Sequence, residues 1–236
     1  MPDSENPNTG CPPVSKRRSA GYLLLGLTVI LLNACTTAED ADVRRLRARA
    51  AYDLATNELR DGRISVGLAS LQEAVGLNPE EPLYFNTLGI VQLQLMDLPK
   101  ATEAFKKAIQ LDPDYAEAHH NLGVTLAEEG KWKEALQAYQ KAVSIPIYAR
   151  PGAVYTNMGW AYYNLGQLPE AEKALLQALR LQPTLQPASY NLGLVLLKAG
   201  RQEEAKAAFR HARDLAPETD FGLAAREHLK ALGETR

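Results

Sequence analysis

Apolar residues fall into two patterns along this chain. Near the start, three cations (Lys16, Arg17, Arg18) precede a mostly apolar run from Ala20 to Ala34. Further on, small and apolar residues recur at helical spacing, interrupted by glycine and proline at a fixed interval. Pro79, Pro113, Pro183 and Pro217 stand 34, 70 and 34 residues apart, and Gly89, Gly123, Gly159 and Gly193 stand 34, 36 and 34 apart. One period of 34 fits both series, with two extra residues between the third and fourth units. The spacing predicts helical hairpins. Gly62, Gly130, Gly166 and Gly200 fall at the fifteenth position of their units, where a left-handed residue closes the first helix. Pro99 and Pro169 open the second helix, where a missing N–H costs nothing, and the periodic prolines stop it.

A period of 34 is that of the tetratricopeptide repeat, with its aromatic-x₂-Leu-Gly-x₂-Tyr, Ala-x₃-Phe and Pro positions. The fourth unit resembles it most, with Tyr155, Met158, Gly159, Tyr162, Ala171, Leu175, Ala178 and Pro183. The second carries Phe85, Leu88, Gly89, Ala101, Phe105, Ala108 and Pro113, and the fifth Leu192, Gly193, Ala205, Phe209, Ala212 and Pro217. The third, with Leu122, Gly123, Ala135, Tyr139 and Ala142, has Pro146 one place early. In the first, Ala55 replaces the glycine and Gly67 the alanine, as a terminal unit allows. Glycine at the eighth position and alanine at the twentieth are expected to face each other where the two helices cross. The expected fold is all-α: an α-α superhelix, or solenoid, of five repeats (48–81, 82–115, 116–151, 152–185, 186–219) plus a C-terminal capping helix in 220–236. That last segment places Phe221, Ala225, Leu229 and Leu232 at helical spacing among Arg226, Glu227 and Lys230. One hairpin cannot bury its own apolar stripe, but five stacked hairpins can.

The apolar run from Ala20 is shorter than the roughly 20 residues that span a bilayer core. With its cationic start and the small residue at Ala34, it reads as a secretory signal peptide, 1–34. Leu32-Asn33-Ala34-Cys35 resembles the bacterial lipobox, in which cleavage falls before a cysteine that receives diacylglycerol. The resemblance implies lipidation at Cys35 and a tether over 35–47. Thr36 after the cysteine implies sorting to the outer membrane, lipid-anchored and facing the periplasm. Two or three acyl chains anchor stably where one binds marginally.

Composition narrows the chemistry. Lys and Arg number 26 against 28 Asp and Glu, a net charge of −2, so no basic excess points to nucleic acid. Of the two cysteines, Cys11 is cut away and Cys35 acylated, which leaves packing rather than disulfides to hold the fold. The four histidines, His119, His120, His211 and His228, form no zinc motif, and His119 sits at a packing position. No phosphate loop or nucleophile elbow occurs. The chain reads as a non-enzyme with no cofactor, no metal and no small-molecule substrate.

Binding is the remaining expectation, because the first helices of such a stack line a concave groove. Asn121, Asn157 and Asn191 occupy the sixth position of three successive units, and an amide can both donate to and accept from a peptide backbone. Trp160 and Tyr163, with Tyr190 in the next unit, add aromatics of the kind enriched at binding hot spots. The groove lacks the paired lysines of carboxylate-clamp repeats. Pro146 and Pro151 break the helical path and make an exposed link between the third and fourth units. That link, the lipobox and the array together resemble the lipoprotein pilotins of type IV pili, tetratricopeptide proteins of the outer membrane. The resemblance implies a lipid-anchored adaptor that binds a secretin subunit during pilus biogenesis. A general cell-envelope scaffold, recruiting murein hydrolases or other periplasmic complexes, is the alternative.

Overall fold

The computed structural model describes the backbone of residues 19–146 and 150–234, with side chains from Asp40 onward. The segment expected to be a signal peptide and lipobox, with Cys35, lies outside the residues whose side chains are described, as do residues 147–149 of the link. No helix among the described residues is long and apolar enough to cross a membrane.

Eleven helices account for the regular structure of the described residues: α1 (Ser19–Arg60), α2 (Ile64–Leu77), α3 (Pro82–Gln94), α4 (Leu98–Leu111), α5 (Ala116–Glu128), α6 (Trp132–Ser144), α7 (Pro151–Asn164), α8 (Leu168–Leu181), α9 (Gln186–Lys198), α10 (Gln202–Leu215) and α11 (Asp220–Ala231). The expected all-α solenoid is what is found. The chain divides into two units, 1–47 and 48–236. In the first, Arg45 pairs with Asp42 at 3.5 Å, and Val43 and Leu46 are exposed.

In the second unit successive helices pack as hairpins, α3 on α4, α5 on α6, α7 on α8 and α9 on α10. Each hairpin also packs its second helix on the first helix of the next. The core is built from repeat positions. Ala101, Ala135, Ala171 and Ala205 are fully buried, as are Phe105, Leu175 and Phe209, and Tyr139 is nearly so. Three apolar clusters, around Leu71, Tyr139 and Phe209, run along the stack.

At the crossing of each hairpin the structure adds a contact to those expected from sequence. A Cβ added to Gly89, Gly159 or Gly193 would lie 2.5 Å from the side chain of Phe105, Leu175 or Phe209, and one on Gly123 would strike Tyr139. The glycine therefore makes room for the large side chain at position twenty-four. A flat or branched side chain inserted against bare backbone fills the crossing more completely than two small residues would.

The first helices end as expected. Gly62, Gly130, Gly166 and Gly200 have φ between 74° and 78°. In the second unit of the array the same position is Met96, with φ 59°. Its left-handed backbone is set by the surrounding hairpin geometry, since a side chain there is unfavourable. Thr219 caps α11, accepting from the Gly222 amide at 3.2 Å. That helix closes the stack by laying Ala225 and Leu229 on the last apolar cluster.

Candidate functional site

The first helices touch one another in series, α3 with α5, α5 with α7, α7 with α9 and α9 with α11. They form one wall, the inner side of a stack of this type. Polar side chains at the fifth and sixth repeat positions join neighbouring helices across it. Thr87 Oγ1 donates to the Leu83 carbonyl at 2.9 Å, so the Tyr52 hydroxyl, 3.2 Å away, is the donor to Thr87. Asn121 Nδ2 donates to Asn86 Oδ1 at 3.0 Å, and Asn86 is buried. Asn157 Nδ2 lies 3.0 Å from His120 Nε2. An amide nitrogen only donates, so Nε2 accepts and the ring proton sits on Nδ1.

Two titrations follow from this wall. Burial, and secondly the charge of Arg150, lower the His120 pKa to about 4, which keeps the imidazole neutral and able to accept. Tyr115, at the start of α5, is pushed up to about 12, chiefly by burial, while a hydrogen bond from Asn86 works in the opposite direction.

The six groove residues chosen from sequence are not equivalent. Asn121 and Asn157 each spend one amide N–H on the wall itself. Asn191, half-buried on α9, has no hydrogen-bond partner among the described residues. Trp160 and Tyr163 stack with centroids 5.2 Å apart and 13° between planes, and Trp160 is 37% exposed. Lys198 Nζ, from α9, stands 4.4 Å over the Tyr163 ring. Sequence reasoning missed Lys198, although its place at position thirteen of the fifth unit was a legible signal. Tyr190 turns toward the end of the stack. Its ring packs against Phe209, Phe221 and His228, and its hydroxyl lies 3.3 Å from His228 Nε2.

Other histidines hold the framework. His119 Nε2 donates to the Pro113 carbonyl at 2.9 Å, and His228 stacks on Phe209 at 4.7 Å. Ser189 Oγ lies 2.8 Å from His211 Nδ1, but the hydroxyl belongs to a residue only 1% exposed and packs α9 on α10. A cleft of 350 Å³ between α7 and α8 is lined by Tyr155, Met158, Tyr162 and Lys173. A second, of 520 Å³, lies between Leu176 and Leu192, with Arg201 bridging Glu172 and Glu204 beside it. No group of three metal-ligating side chains occurs among the described residues.

Known proteins resemble the chain over most of its length. It is 28% identical over 188 residues to "Type IV pilus assembly protein PilF" of Pseudomonas aeruginosa, covering 79% of this chain and 63% of that protein. The crystal structure of PilW, a "widely conserved type IV pilus biogenesis factor", superposes with a TM-score of 0.73 at 26% identity, over 80% of this chain and 87% of that one. Human "Protein O-mannosyl-transferase TMTC2" is 37% identical over 99 residues, 42% of this chain, and the chain spans only 12% of that relative's length. A tetratricopeptide repeat family matches residues 52–116. The family described as "Cilia and flagella-associated protein 70 C-terminal domain" matches residues 85–235, more than half of the sequence, and the chain belongs to this tetratricopeptide-repeat family.

Proposed function

We propose that the chain is a lipid-anchored, non-catalytic adaptor that holds a secretin subunit, or another envelope protein, during type IV pilus biogenesis. The observation that carries this reading is its likeness to PilF and PilW over about four fifths of its length. A stack of hairpins with an open inner wall is suited to gripping a polypeptide segment. In this reading residues 1–34 are a signal peptide, Cys35 is acylated, 35–47 is a tether, 48–219 is the array and 220–236 the cap. The partner lies along α5, α7 and α9, touching Asn121, Asn157, Trp160, Tyr163, Tyr190 and Asn191. The lipid confines adaptor and partner to the periplasmic face of the outer membrane and raises their effective concentration.

Deleting the gene and assaying heat-stable secretin multimers in the envelope tests the reading. Loss of multimers, restored by the wild-type chain but only weakly by Cys35→Ser, is the expected result. Multimers that persist unchanged overturn the pilus assignment and favour the general envelope scaffold.

A further inference from the structure

Trp160 and Tyr163 lie one turn apart on α7 with nearly parallel rings, and Lys198 reaches over Tyr163 from α9. The indole and the ammonium stand 5.2 Å and 4.4 Å from the same ring centroid. Tyr163 therefore contacts both an aromatic plane and a cation. Trp160 is more than one third exposed and is the most open aromatic on the inner wall of α5, α7 and α9. Among the described residues no carboxylate lies within ion-pair distance of Lys198, whose charge is met only by the ring quadrupole. A cation over an aromatic face keeps its other N–H donors free, and a carboxylate is the acceptor that binds them most strongly.

We infer that this platform selects its partner: it takes an extended segment that lays an aromatic side chain on Trp160 and sets an Asp or Glu carboxylate on Lys198. The inference rests on the inner wall being the partner-binding surface. Because both anchor points stand against the same ring they are at most about 10 Å apart, and an extended chain rises about 3.3 Å per residue, so the aromatic and the acid stand no more than three residues apart in the partner. The unpartnered amide of Asn191, on the same helix as Lys198, is available to the backbone of that segment.

The test is selection from a phage-displayed library of random 12-residue peptides on the immobilised full-length chain, followed by titration of the selected peptides. Peptides with an aromatic residue within three places of an Asp or Glu are expected to dominate. Their affinity should fall tenfold or more in Trp160→Ala and in Lys198→Ala, with helical content unchanged by circular dichroism. Lys198→Glu should prefer the same peptides with the acid changed to Lys. Selected peptides without the acid, an affinity indifferent to Lys198→Glu, or a library that yields no binder overturns the inference. Peptides that need Trp160 but not Lys198 sink the inference and leave the groove reading standing. Peptides indifferent to Trp160, Asn157 and Asn191 sink both.

Discussion

Asn157 on α7 donates its amide N–H to Nε2 of His120 on α5, and that bond exists only while the imidazole is neutral. Burial and Arg150 hold the folded His120 pKa at about 4, against an unfolded value of 6.5. A base whose affinity for protons is depressed by folding favours the unfolded chain once acid is added. The stability it permits is complete above pH 6.5 and is lost progressively as the pH falls toward 4. Between pH 7 and pH 4.5 the loss should be on the order of 2 kcal/mol. Urea midpoints measured across that range check it. His120→Gln, whose amide oxygen can still accept from Asn157, should flatten most of the slope above pH 5.

Gly159 and Leu175 meet across the hairpin of α7 and α8, where an added Cβ would come within 2.5 Å of Leu175 Cγ. Gly159→Ala should therefore destabilise by about 1–3 kcal/mol through overpacking. Leu175→Ala, at a residue with no exposed surface, should cost about 2–5 kcal/mol through the cavity it leaves. The double variant should be more stable than the sum of the two predicts, by about 1 kcal/mol or more, because the new methyl occupies part of the vacated space. Strict additivity in thermal unfolding would mean the two residues do not share that crossing.

Why sequence does not single out position twenty-four at the crossing is physical. Gly62, Gly130, Gly166 and Gly200 announce themselves because a left-handed φ is a local property of one residue. The contact of Gly159 with Leu175 is set by how two helices roll on each other, and the repeat register leaves alanine and leucine as equal candidates. The polar joints across the inner wall were illegible for another reason. Their donors and acceptors differ at every step, from Tyr52–Thr87 to Asn86–Asn121 to His120–Asn157. A period of 34 exposes recurring residue types, and here the pairing of position five with the next position six recurs while the residues change. Tyr190 reads as a groove residue from its place at position five of the fifth unit, and its ring neighbours Phe221 and His228 belong to α11, outside the repeating pattern.

Met96 is the single described non-glycine residue with positive φ, and 63% of its surface is exposed. Its side chain contributes little packing, while the left-handed backbone costs a Cβ-bearing residue roughly 1–2 kcal/mol. Met96→Gly should raise stability by about 1 kcal/mol once the larger unfolded-state entropy of glycine is subtracted. A higher urea midpoint with an unchanged slope is the expected measurement, and a lower one would show that Met96 packs on α4 in solution.

Tyr190 decides between packing and binding at the end of the wall. Its ring touches Phe209, Phe221 and His228, and burial raises its hydroxyl pKa. Tyr190→Phe removes only the 3.3 Å contact to His228 and should cost about 1 kcal/mol or less. Tyr190→Ala removes the surface on which α11 rests and should cost about 2–4 kcal/mol. Hydrogen exchange should then speed up first in α11, the outermost helix of the stack, while α5 and α6 keep their protection. If Tyr190→Ala instead leaves exchange in α11 unchanged and weakens the capture of selected peptides, the ring faces the partner and α11 is held by Ala225 and Leu229 alone.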